Sequence, residues 1–104
     1  MSEQAKKTIK ITCGIEGYED CYILFASDGW RYKHLRAWEE AKGASNISAI
    51  ITARIENWYI IIDGNEIPFI PGEGALDELT PELAAWVVTA YRDAYHQAGM
   101  PSPN

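Results

Sequence analysis

Asn46-Ile47-Ser48-Ala49-Ile50-Ile51-Thr52-Ala53-Arg54-Ile55-Glu56-Asn57-Trp58-Tyr59-Ile60-Ile61-Ile62-Asp63-Gly64-Asn65-Glu66-Ile67-Pro68-Phe69-Ile70-Pro71-Gly72 is the stretch on which the fold turns. Ser45 or Asn46 is placed to cap a helix in which Ile47, Ile51, Ile55, Trp58 and Ile62 recur three or four residues apart, the period of one helical face. That spacing predicts a helix running through about Trp58. Trp58-Tyr59-Ile60-Ile61-Ile62 is also rich in β-branched and aromatic residues, and Asp63-Gly64 is a hairpin turn signal, so residues 59–70 read either as a last helical turn or as a short hairpin. Pro68 would confine a returning strand to an edge. The span 63–77, with its glycines and prolines, is longer than most internal connections and is expected to be either functional or poorly ordered.

Upstream, Thr8-Ile9-Lys10-Ile11-Thr12-Cys13 alternates apolar and polar residues, a half-buried strand. Gly14 to Asp20 supplies turn residues before Cys21-Tyr22-Ile23-Leu24-Phe25-Ala26 resumes, so the two strands form an antiparallel hairpin. Tyr22 and Leu24 make the second strand apolar on both sides, so it is either covered on both faces or presents one face to a partner. Ser27-Asp28-Gly29 ends the strand and can cap a helix over residues 30–42, with Trp30, His34, Ala37, Trp38 and Ala41 on one side and Gly43 as its stop. Downstream, Thr80-Pro81-Glu82 opens a last helix with a capping hydroxyl, proline at the first helical position and an acid in the first turn. Its buried stripe is expected at Leu83, Ala84, Val87, Ala90, Tyr91, Ala94 and Ala98, with Trp86 on the flank and Gly99 ending the helix. The fold class that follows is α+β: an N-terminal antiparallel β-hairpin packed on a bundle of about three helices. A chain of 104 residues with 47% hydrophobic residues fits a single domain over 1–104, with 1–6 and 100–104 expected to be flexible.

Charge is distributed unevenly. Residues 1–55 carry eight Lys and Arg against seven Asp and Glu, whereas residues 56–104 set Arg92 alone against eight acids, which together give the net −6. Phosphate binding needs clustered Lys and Arg, so nucleic acid is not an expected partner. No apolar run approaches the roughly 18 residues of a membrane span, and the N-terminal residues carry no apolar core of the kind a secretory signal has. The chain therefore reads as cytosolic, with Cys13 and Cys21 as thiols, although a cross-strand disulfide between them is geometrically open.

No constellation supplies a chemistry. A zinc site from Cys13, Cys21, His34 and His96 lacks the close paired spacing of structural zinc ligands. Neither histidine is placed beside a cysteine in a way that would activate a nucleophile. The acid pairs Glu39-Glu40 and Asp77-Glu78 read as solvated helix positions, and Gly72-Glu73-Gly74 is only a fragment of a dinucleotide loop. No catalytic residue, metal or cofactor is expected. What is left is surface recognition, for which Trp86, Trp30, Tyr22 and Trp58 are the candidate partner-binding residues, aromatic anchors being the usual centres of interfaces.

The order of elements carries a resemblance. A short hairpin is followed by Trp30-Arg31-Tyr32-Lys33-His34-Leu35-Arg36-Ala37-Trp38-Glu39-Glu40-Ala41. Ile55-Glu56-Asn57-Trp58 then leads into Asp63-Gly64-Asn65-Glu66-Ile67-Pro68, and Ala75-Leu76-Asp77-Glu78-Leu79-Thr80-Pro81-Glu82-Leu83 follows. This succession resembles small tail-morphogenesis proteins of long-tailed bacteriophages and prophages, in particular the tail assembly chaperones, over about residues 8–99. The resemblance implies a non-enzymatic host-cytoplasmic protein that holds the aggregation-prone tape measure protein, or another tail component, while the tail tube polymerises. It also implies an aromatic and apolar surface for an amphipathic helix and an acidic half suited to a basic partner. The run Tyr59-Ile60-Ile61-Ile62 departs from a helix end. A virion subunit, such as a head-tail connector or tail terminator forming a homo-oligomer, is the alternative, and a small metal-binding protein or enzyme is the outsider.

Overall fold

A computed structural model describes residues 8–101. The expected flexibility of residues 1–6 and of 102–104 concerns positions outside those residues. The element order is β1 (Thr8–Thr12), β2 (Tyr22–Ala26), α1 (Tyr32–Glu40), α2 (Ala44–Thr52), β3 (Ile55–Tyr59), β4 (Ile61–Ile62), β5 (Asn65–Glu66) and α3 (Pro81–Gln97). The architecture is α+β, as the sequence predicts: an antiparallel hairpin with three helices, one of which, α3, packs on β1 and β2. Among the described residues no helix is long and apolar enough to cross a membrane.

The hairpin is larger than expected, because β3 joins it as a third antiparallel strand in the order β1-β2-β3. Ile9 pairs with Phe25 and Ile11 with Ile23, while Ile23 also faces Trp58 and Phe25 faces Ile55, so one row of apolar side chains crosses the sheet. The helix predicted through Trp58 therefore ends at Thr52. The misreading has a physical cause. In a regular strand Ile55 and Trp58 would point to opposite faces, but β3 is bulged: Asn57 pairs with Leu24 and Ile55 with Phe25, leaving Glu56 as the extra residue. A bulge gives two core-facing residues three apart, which is also the helical spacing. Ile62, the last member of the supposed stripe, is only half-buried, and Ile60 is fully buried instead.

Residues 59–70 resolve as the hairpin. Asp63 (φ 54°) and Gly64 (φ 79°) both take left-handed conformations, as a two-residue turn matched to strand twist requires, and β4 pairs with β5 across them. The connector beyond is packed against the body. The Trp58 indole donates to the Ile67 carbonyl at 2.9 Å and meets the Phe69 ring at 5.1 Å. Thr52, 1% exposed, donates its hydroxyl to the Ser48 carbonyl and accepts the Gly72 N–H at 3.0 Å. One buried hydroxyl thus ties the connector to α2.

α1 begins two residues later than predicted. Gly29 (φ 82°) turns the chain, and Trp30 lies ahead of the helix with its indole N–H donated to the Ala26 carbonyl at 2.8 Å. Arg31, not Asp28, occupies the N-cap, and the cap is closed by His34, whose Nδ1 accepts the Arg31 N–H at 2.8 Å. α3 follows its sequence signals: Thr80 Oγ1 accepts the Leu83 N–H at 3.2 Å, Pro81 holds the first position, and Gly99 (φ 87°) follows the end. Of its expected stripe, Leu83, Val87, Ala90, Tyr91 and Ala94 are buried, and Ala84 and Ala98 are half-buried against the core. Tyr95 is buried as well, and its hydroxyl donates to the Pro101 carbonyl at 2.8 Å.

Candidate functional site

The four aromatic candidates do not converge. Trp30 (8% exposed) and Trp58 (3%) belong to the core. Trp30 sits among Tyr91, Tyr95 and His34, at ring separations of 5.6, 5.9 and 5.7 Å, and the Arg54 guanidinium lies 4.7 Å over its ring while also donating to the Asp28 carbonyl. The aromatic cluster thus already holds a cation of this chain. Tyr22 is half-buried on the outer face of the sheet, stacked on Tyr59 at 5.6 Å with Lys10 Nζ 4.5 Å over its ring. Trp86 is half-buried on α3 and packed at the margin of the core.

Apart from Cys13 and Cys21, which sit on adjacent strands, the titratable groups are likewise dispersed. Cys13 and Cys21 are buried free thiols, and burial pushes the Cys13 thiol up. His34 is committed to its helix cap, and burial together with the Arg54 charge lowers its pKa, so the ring is neutral with its proton on Nε2. His96 is exposed in the last turn of α3. Among the described residues, no group of three or more His, Cys, Asp or Glu side chains is placed to hold a metal ion.

What the fold does build is a pair of apolar depressions on the connector. The larger, of about 370 Å³, lies between the N-terminal halves of α2 (Ala44, Ser45, Ile47 and Ser48) and α3 (Ala84, Ala85 and Val88), with Leu76 as a third wall and Glu73 and Asp77 at its edge. The smaller, of about 250 Å³, is lined by Ile67, Pro68, Ile70, Pro71, Gly74 and Ala75, with Glu78 beside them. Among the described residues, Ile70, at 65% exposed, is one of the two large hydrophobic side chains most open to water; the other is Tyr32. Small residues make the larger groove: alanines on two helices leave a trough that leucines would fill. Three exposed acids, Glu73, Asp77 and Glu78, flank the two depressions.

Trp86 is not part of this groove. At 100° per residue it lies about 200° round α3 from both Ala84 and Val88, across the buried stripe. Reasoning from the sequence missed the groove because its walls come from three separated segments and carry no aromatic or charged signature of their own. The usable signal was the pairing of Ala84, Ala85 and Val88 on one flank of the α3 stripe. Comparison with family models, with curated proteins and with solved structures finds no match to this chain.

Proposed function

We propose that this protein is a non-enzymatic tail-morphogenesis protein of a long-tailed bacteriophage or prophage, an assembly chaperone that holds an amphipathic helix of the tape measure protein. The observation that carries the reading is the apolar groove between α2 and α3 with Glu73 and Asp77 at its edge. A helix laid in such a trough buries apolar side chains at i, i+3, i+4 and i+7 and leaves its flanks facing the rim. With only Arg92 opposing eight acids over residues 56–104, a partner with Lys or Arg on those flanks is favoured and an acidic one is repelled. Acidic rim groups act mainly on encounter rate and partner choice, and the apolar floor supplies the affinity. Holding one exposed apolar helix out of solution is what a chaperone for a long, aggregation-prone coiled chain must do.

Co-expression tests it. The tape measure protein produced with this chain should stay soluble and co-purify, and Ala85→Arg should abolish capture by filling the trough and repelling basic flanks. Ala85 is exposed, so this variant keeps the fold. A tape measure protein that is neither solubilised nor captured, or one captured equally by the Ala85→Arg variant, would refute the assignment.

One observation favours the virion-subunit reading instead. Tyr32 (67% exposed) on α1 and the Tyr22-Tyr59 pair on the outer sheet face are apolar surface away from the groove, suited to contacts between copies. A closed oligomer of defined mass formed by the isolated protein in light scattering would support that reading.

A further inference from the structure

We infer that Cys13 and Cys21 form a reversible intramolecular disulfide that pins the 14–20 turn to the base of the sheet. Thr12 pairs with Tyr22, so the next position outward places Cys13 directly opposite Cys21, and the Cys13 N–H donates to the Cys21 carbonyl at 2.9 Å. Directly opposed antiparallel residues have Cα atoms about 4.5–5.5 Å apart, within the range a disulfide spans. Both side chains lie on the same side of the sheet: Cys13 is 4% and Cys21 2% exposed, and both belong to one apolar cluster. The two side chains therefore leave opposed positions on the same face, and closing the bridge needs no change of strand register.

The loop between them borders a solvent-open cavity. Gly17 takes φ +95°, and the turn is held by local hydrogen bonds, Tyr18 N–H to the Ile15 carbonyl and Cys21 N–H to the Tyr18 carbonyl, each 2.9 Å. A cavity of about 550 Å³, open to solvent, has Glu16, Tyr18, Asp20 and Cys21 in its wall. Opening of this turn would uncover Cys21 from the cavity side. The raised Cys13 pKa, caused by burial first and by the nearby Cys21 sulfur among the charge effects, makes uncatalysed oxidation slow at neutral pH and agrees with the closeness of the two sulfurs.

With glutathione disulfide as oxidant, one protein thiolate attacks a glutathione sulfur and expels glutathione thiolate. The second protein thiolate then attacks the protein sulfur of the mixed disulfide and expels a second glutathione. Two thiol protons pass to solvent or to the leaving thiolates, and the two electrons lost by the protein reduce glutathione disulfide to two glutathiones. The product closes a short loop, for which the chain-entropy account gives a rise in melting temperature of roughly 10 °C.

The test is incubation of the folded protein with glutathione disulfide, followed by intact-mass measurement and thermal unfolding. The expected product is a monomer lighter by two hydrogens, with no thiol reactive after denaturation, a raised melting temperature and full reversal by dithiothreitol. Cys13→Ser and Cys21→Ala should each lose the mass change and the thermal shift; using both variants guards against one that fails to fold. Stable glutathione adducts, a disulfide-linked dimer, or two unreacted thiols after prolonged incubation would each overturn the inference.

Discussion

Replacing Tyr91 by Phe tests how the core is assembled, because that residue is its largest fully buried side chain and the hub of the aromatic cluster. Its ring meets Trp38 at 5.2 Å, Trp30 at 5.6 Å and Phe25 at 6.3 Å, contacts that phenylalanine keeps. Its hydroxyl makes no hydrogen bond to any described residue. An unpartnered buried hydroxyl has lost its water without replacement, so its removal should be neutral or stabilising by about 1 kcal/mol at pH 7. The larger signature is at alkaline pH. Burial pushes the Tyr91 phenol from 10.0 up to about 12. The folded state holds this proton more tightly than the unfolded chain, so the associated stability is fully present below pH 10 and is lost as pH rises through about 12. That difference amounts to about 3 kcal/mol in all, of which about half is already lost at pH 11. The variant differs from wild type only in this hydroxyl, so the difference between them reports on Tyr91 together with its coupling to Tyr95. Urea unfolding at pH 7 and pH 11 should show the variant gaining about 1 kcal/mol on wild type between the two conditions. Equal pH dependence, or a variant clearly less stable at pH 7, would mean that the hydroxyl is hydrogen-bonded and the reasoning wrong.

Other perturbations follow from single contacts. His34 is held neutral at the α1 cap with its pKa lowered from 6.5, so stability present above pH 6.5 should fall as pH drops through the folded value; His34→Gln, which can still accept at that position, should flatten the dependence in thermal melts. Thr80→Ala removes the hydroxyl that accepts the Leu83 N–H and should cost about 1 kcal/mol in urea unfolding. Gly64→Ala meets open space but must adopt φ +79°, so it should destabilise by roughly 1 kcal/mol through backbone strain alone, and Gly64→Asn should recover most of the loss.

Much of this fold is written in local chemistry. Thr80, Pro81 and Gly99 delimit α3 almost to the residue, and the alternation of Ile9, Ile11 and Cys13 against Cys21, Ile23 and Phe25 gives the hairpin and its register. The third strand was hidden by the Glu56 bulge, which gave Ile55 and Trp58 a helical spacing, and only its pairing with β2 distinguishes the two structures. The start of α1 was misplaced because Asp28 is the better capping residue by type, whereas Arg31 with His34 three residues on is the cap by geometry. The candidate site was less legible than the fold. Tryptophan draws the eye as an interface anchor, yet Trp30 and Trp58 are consumed by the core, and the groove is made of alanines whose significance lies in the side chains they lack.

The central claim is that the α2-α3 groove receives a basic amphipathic helix. Its most direct measurement is a backbone-amide NMR titration of the full protein with a synthetic Leu-rich amphipathic helix carrying lysines on both flanks. Saturable shifts are expected at Ile47, Ser48, Leu76, Ala84, Ala85 and Val88, lost in the Ala85→Arg variant and strongly weakened when the flanking lysines are replaced by glutamates. Absence of saturable shifts, or shifts centred on the Tyr22-Tyr59 sheet face with the groove silent, would contradict it.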